Sequence, residues 1–68
     1  MNIKIKFGKR LKEIRNQKKI TQEKLSELAN IDRSYISDIE RGIKSVSLEK
    51  MDQLAKALEV NIIEFFKF

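Results

Sequence analysis

The chain has 68 residues and a net charge of +5, and it contains neither cysteine nor histidine. A chain of this size has room for one domain, residues 1–68, with a modest core. Without these two residue types it lacks disulfides, thiolate metal sites and the commonest general base, so we expect no enzyme activity, no metal and no cofactor.

No apolar run approaches the roughly 20 residues of a membrane span, and the first ten residues lack the apolar stretch of a secretion signal. We therefore expect a cytoplasmic protein without a membrane partner. Residues 1–19 carry eight Lys or Arg against one Glu, whereas the rest carries seven basic and nine acidic side chains. A basic surface of this kind binds phosphates through counterion release, although Lys4, Lys6 and Lys12 taken singly fit a solvated helix face equally well.

The N-terminal stretch alternates polar and apolar side chains through Ile3, Ile5 and Phe7. This period fits either a short extended arm or the frayed beginning of the first helix, and we favour the helix. From residue 7 the apolar spacing is helical. We expect this helix to end near residues 17–19, where basic side chains complement the helix dipole.

Residues 21–42, TQEKLSELANIDRSYISDIERG, indicate two short helices joined by a tight turn. Thr21 is a suitable N-cap for a helix over 22–29. The apolar positions of that helix recur at the spacing of one buried face: Leu25, Leu28 and Ala29. Asn30 and Ile31 then form the turn.

Asp32 is a suitable N-cap for the next helix, 33–41, and Gly42 supplies the left-handed residue that ends it. This helix buries Ile36 and Ile39. Five side chains remain on its outer face or at its edge: Arg33, Ser34, Tyr35, Ser37 and Asp38. Short or forked hydrogen-bonding groups thus cluster at the first turns, the end that a helix-turn-helix inserts into the DNA major groove.

A loop over 43–46 leads to Ser47, which caps a fourth helix running through Glu59. One face of this helix is apolar, which predicts a scaffold role: Leu48, Met51, Leu54, Ala55 and Leu58. Asn61 begins a fifth, short helix, and Glu64 follows three residues later in the arrangement of a capping box.

Four features of residues 21–42 match a known motif: Thr21-Gln22, Leu28-Ala29, Ile36-Ser37 and the I-E-R-G run that ends at Gly42. Together they resemble the helix-turn-helix of the phage-repressor family, the Cro and lambda-repressor-like regulators of XRE type. The resemblance covers about 7–66 and implies an all-α, compact five-helix domain with the helix-turn-helix formed by helices 2 and 3. The run IDRSYISDIERG looks most like the controller proteins of restriction-modification systems.

The resemblance also implies a partly buried ion pair between Arg15, at the end of the first helix, and Glu40. The Arg fork suits a carboxylate because it donates two parallel hydrogen bonds. We therefore expect Glu40 to be structural and not a DNA contact.

Side-chain chemistry and the resemblance together assign DNA contacts. Arg33 is the expected base reader because its fork matches guanine O6 and N7, with Ser34 and Ser37 as further base contacts. Contacts to the DNA backbone, two of them from the loop, are expected from Gln22, Tyr35, Lys44 and Ser45. For Tyr35, packing against the fold is an equal alternative. Asp38 is unexpected at a base-contacting position because phosphates repel a carboxylate.

The C-terminal end carries more apolar surface than one small domain readily buries. In the family pattern Ile62, Phe65 and Phe66 fill core positions, whereas the position of Ile63 is usually polar. We expect a dimerisation region over about 58–68 with the interface residues Ile63, Phe66 and Phe68. The alternative is that Phe66 and Phe68 only cover the domain's own core.

These features predict a homodimeric, sequence-specific transcriptional regulator that occupies a double-stranded DNA operator. A twofold dimer sets its recognition helices about 34 Å apart and so reads a palindromic or pseudo-palindromic site. No small-molecule ligand is evident. The alternative is an antitoxin-like or other protein-interaction module with secondary DNA binding, since the apolar C-terminal end suits a different partner as readily as a second copy.

Overall fold

The computed structural model describes residues 2–68, which form four α-helices and a C-terminal 3-10 helix. The elements are α1 (Ile3–Gln17), α2 (Gln22–Ala29), α3 (Arg33–Glu40), α4 (Leu48–Leu58) and the 3-10 helix (Ile62–Phe66). The all-α prediction is confirmed. The prediction of a five-helix domain holds for four α-helices, whereas the last, short element is a 3-10 helix that closes i to i+3 bonds, such as Glu64 N–H to Asn61 O at 2.9 Å.

The N-terminal stretch belongs to α1, which begins at Ile3. The Asn2 side chain accepts a hydrogen bond from the Ile5 N–H at 3.0 Å and so caps the helix. The helical alternative is therefore confirmed and the extended arm is wrong, while Met1 lies outside the described residues. The alternation of Ile3, Ile5 and Phe7 has no strand meaning, since the first two side chains are exposed and only Phe7 is buried.

The helix-turn-helix has the predicted boundaries to within one residue. Thr21 accepts from the Lys24 N–H at 3.0 Å, and Asn30 ends α2 in the left-handed conformation with φ 56°. Asp32 caps α3 by accepting from the Ser34 N–H at 3.1 Å. The helix ends at Glu40, one residue before the predicted end, and Gly42 then adopts φ 74°.

The core lies where α1 packs against α3 and the 3-10 helix, and where α2 packs against α3 and α4. Two predicted core positions are exposed: Leu28 by 49% and Leu48 by 74%. Leu28 is excluded because the short α2 turns only Leu25 and Ala29 inward. Leu48 is the first residue of α4 and lies beyond the end of the core.

The predicted capping box at the last helix is wrong. Asn61 does cap this helix, accepting from the Ile63 N–H at 3.0 Å. The Glu64 carboxylate instead pairs with Lys67 at 2.7 Å and with Arg10 at 3.4 Å. The hydrogen bond from Lys67 and the charges of both partners hold the pKa of Glu64 below its usual range. Arg10 Nε also donates to the Glu64 carbonyl at 2.7 Å, so this arginine fastens the 3-10 helix to α1.

Candidate nucleic-acid interface

A buried ion pair joins the end of α1 to the end of α3. Arg15 Nε donates to Glu40 Oε2 at 2.7 Å, and Arg15 Nη2 donates to Glu40 Oε1 at 3.0 Å. The two side chains are only 10% and 3% exposed. The remaining guanidinium nitrogen, Nη1, donates to the Ile20 carbonyl at 2.8 Å. This bidentate geometry fixes the orientation of α3 on α1.

Gln22 belongs to the same network. Its Nε2 donates to Glu40 Oε1 at 3.0 Å, so the amide that was expected to reach a phosphate is held by the ion pair. Gln22 is also the first residue of α2, where helix geometry provides no intrahelical partner for the backbone N–H. That N–H is a suitable phosphate donor, and the network fixes its position relative to α3.

The first turn of α3 presents two of the three predicted base readers to solvent. Arg33 and Ser34 are exposed, whereas Ser37, one turn further on, is half-buried. The Ser34 hydroxyl is hydrogen-bonded to the Asp32 carboxylate. That hydroxyl is the main reason why the pKa of Asp32 lies below its usual range, and the backbone N–H groups of Ser34 and Tyr35 and the Arg33 charge add to it. In this state Ser34 completes the helix cap, and Arg33 is the more available group.

Tyr35 connects α3 to the loop that follows it. Its hydroxyl donates to the Ser45 carbonyl at 2.7 Å. Two ammonium groups lie near its ring, Lys44 Nζ at 5.8 Å and Lys50 Nζ at 5.4 Å from the centroid. Tyr35 thus packs against the fold and contacts the loop, while its predicted DNA contact stays a prediction. Lys50 was not among the predicted site residues, because nothing in the sequence places the first turn of α4 beside α3.

Asp38 is compensated by neighbouring cations. Its carboxylate lies 3.7 Å from Arg41 Nη2 and 3.8 Å from Lys44 Nζ. Its backbone carbonyl also accepts from the Ile43 N–H at 2.9 Å. This residue therefore stabilises the loop after α3, which gives a structural reason for a carboxylate close to a surface predicted to face phosphates.

The three residues of the predicted dimer interface are all exposed, Ile63 by 60%. Phe66 is in contact with buried Phe7 at a centroid distance of 5.6 Å, and Phe68 extends the aromatic chain at 6.4 Å from Phe66. The rings therefore continue the core outward to the surface. We call the three exposed residues the apolar C-terminal patch: Ile63, Phe66 and Phe68.

We also searched residues 2–68 for a metal site and for a membrane-spanning helix. Residues 2–68 hold no group of three or more acidic, His or Cys side chains arranged to bind a metal ion. None of the helices they form has the length and apolar character needed to cross a membrane. The two features that stand out are the exposed beginning of α3, flanked by basic residues, and the apolar C-terminal patch.

Comparison with known proteins gives consistent matches. Residues 11–65 match the family described as Helix-turn-helix. The chain is 41% identical over 68 residues to the control protein C.BamHI of Bacillus amyloliquefaciens, covering 98% of this chain and 84% of that protein. The fold is similar to the restriction-modification controller protein C.AhdI of Aeromonas hydrophila, with a TM-score of 0.91, 44% identity and coverage of 93% and 96%. It is also similar to the controller C.Esp1396I, solved as a tetramer with its natural 35 base-pair operator, with a TM-score of 0.88, 36% identity and coverage of 98% and 88%.

Proposed function

The chain belongs to the helix-turn-helix family, and on that premise we propose that it is a sequence-specific transcriptional regulator of the restriction-modification controller type. The observation that carries the proposal is the exposed first turn of α3, where Arg33 directly follows the Asp32 cap and Tyr35 contacts the loop that bears Lys44. A helix of this size fits the major groove, and the arginine at its N-terminal end meets base edges while neighbouring cations meet phosphates. Regulation follows from where the operator lies relative to a promoter.

We further propose that the working unit is a homodimer and that its interface is the apolar C-terminal patch. One domain of this size recognises only a half-site, and two recognition helices about 34 Å apart read both halves of a palindrome. The patch supports this proposal because all three of its apolar side chains are exposed near the C-terminus, with the Phe66 and Phe68 ring centroids 6.4 Å apart.

The interface predicts the behaviour of Ile63→Lys. A lysine at a twofold interface is buried in both copies and loses its hydration there without a partner charge, so this variant should sediment as the 8.0 kDa monomer whereas the wild type sediments at twice that mass. Ile43→Lys is the matched control, since Ile43 is another exposed isoleucine, located in the loop after α3 and outside the predicted dimerisation region. A dimer that persists in Ile63→Lys refutes this interface.

Arg33→Ala tests the base-reading role. A bidentate contact to guanine discriminates by about 1–3 kcal/mol, so affinity for the operator should fall about 5- to 150-fold, with a much smaller loss on scrambled DNA. The measurement is a fluorescence-anisotropy titration against the DNA just upstream of the gene, with scrambled competitor and at two salt concentrations. Arg33→Lys is the matched control, because it keeps the positive charge at the same position but lacks the fork that a bidentate contact needs.

The same titration tests the function itself. Wild-type protein that binds both duplexes equally would refute sequence-specific regulation. Equal losses on operator and scrambled DNA for Arg33→Ala would instead make Arg33 a phosphate contact and leave the regulator function standing.

A further inference from the structure

Lys50 is a cation beside α3. It forms no ion pair within residues 2–68 and is not among the proposed base contacts. It lies in the first turn of α4, and its backbone N–H donates to the capping Ser47 Oγ at 3.1 Å. The side chain is half-buried and crosses to α3, where Nζ lies 5.4 Å from the centroid of the Tyr35 ring. A residue of α4, outside the helix-turn-helix, thus places a positive charge beside α3.

The charge of Lys50 is not neutralised within the domain. Lys44, near the same ring, pairs with Asp38 at 3.8 Å. No carboxylate of residues 2–68 forms an ion pair with Lys50. The electron-rich face of an aromatic ring attracts an ammonium group without cancelling its charge. Lys50 is therefore held in place and remains able to bind an anion.

The position of this charge fits a DNA phosphate. An α-helix with its side chains is about 10–12 Å across and fills a major groove about 12 Å wide. Groups against the side of a docked helix therefore meet the phosphates that border the groove. Tyr35 is two residues from Arg33 in the same turn of α3, so the Lys50 ammonium flanks the turn that is proposed to read bases.

We propose that Lys50 binds a phosphate of the DNA backbone and that Tyr35 is its positioning residue. The Tyr35 ring holds the ammonium at the flank of α3, while its hydroxyl secures the loop at Ser45. This inference rests on the proposed DNA-binding function and extends the interface from the helix-turn-helix to α4.

The test is the salt dependence of binding for Lys50→Gln. Each phosphate contact contributes about 0.9 to the slope of log affinity against log salt concentration, so this variant should lower the magnitude of the slope by about 1. The loss of affinity relative to wild type should then be about 3- to 4-fold larger at 50 mM than at 200 mM salt. Lys56→Gln is the matched control on the same helix, because Lys56 is 78% exposed and pairs with Asp52.

Tyr35 is tested by combining substitutions. In Tyr35→Phe, which keeps the ring, Lys50→Gln should still lower the slope by about 1. In Tyr35→Leu, which removes the ring, Lys50→Gln should change the slope much less. A purely structural role for Tyr35 would leave the effect of Lys50→Gln the same in both backgrounds, and that result would overturn the positioning role.

The outcome for Lys50 is separable from that for the regulator function. Phosphate contacts are independent of sequence, so the slope change should appear on operator and scrambled DNA alike. A wild type without operator preference refutes the proposed specificity, yet the Lys50→Gln slope is still measurable on either duplex. A slope for Lys50→Gln equal to that of Lys56→Gln overturns the phosphate contact even where the wild type is specific.

Discussion

Replacing Glu40 by alanine should lower the free energy of unfolding by about 3–5 kcal/mol, the effect of removing one partner from a buried ion pair. For a domain of 60–100 residues each kcal/mol shifts Tm by about 4–8 °C, so a fall of at least about 12 °C is expected. The loss is large because Arg15 stays buried with its charge uncompensated. Gln22 loses its acceptor in the same step.

Thermal unfolding followed by circular dichroism measures this effect. Glu27→Ala removes an exposed glutamate from α2 and should change Tm little. The double variant Arg15→Met, Glu40→Met should recover most of the lost stability, since apolar residues of similar volume replace buried ion pairs well. If Glu40→Ala had the same Tm as the Glu27→Ala control, the ion pair would have no structural role.

Helix boundaries could be predicted from the sequence because capping is local. Thr21, Asp32 and Ser47 each accept a hydrogen bond from a backbone N–H two or three residues ahead, and the residue type alone signals that geometry. Asn2 makes the same kind of bond, and taking it as a cap would have placed the start of α1 correctly. The alternating apolar residues that follow it obscured this signal.

The sequence did not predict which residues are buried or brought together where separate helices meet. Leu28 and Leu48 follow the apolar spacing of their helices, yet both are exposed, by 49% and 74%. Lys50 joins the candidate interface only because α4 begins beside Tyr35. Periodicity identifies a face of a helix, but the angle and extent of the neighbouring helix decide how much of that face is buried.

Gly8 is the clearest residue that sequence reasoning missed. A glycine in the middle of a helix destabilises it by about 0.8–1.0 kcal/mol relative to alanine, and such a residue usually has a packing reason. In α1 it is buried where the helix crosses the C-terminal end of α3. A β-carbon at this position would lie 2.2 Å from the Ile39 carbonyl oxygen and 2.9 Å from that of Glu40.

Gly8→Ala should therefore destabilise the protein, by about 2 kcal/mol or more, although helix propensity alone predicts a gain. The two obstructing atoms are backbone carbonyl oxygens, so no side chain can rotate away and α1 and α3 must separate. Urea unfolding measures the loss, and Asn16→Ala, an exposed position of the same helix, should be neutral or stabilising. A gain in stability for Gly8→Ala would mean that α1 and α3 are farther apart than this contact implies. Because α3 ends at Glu40, separation of the helices would also disturb the ion pair that orients the recognition helix.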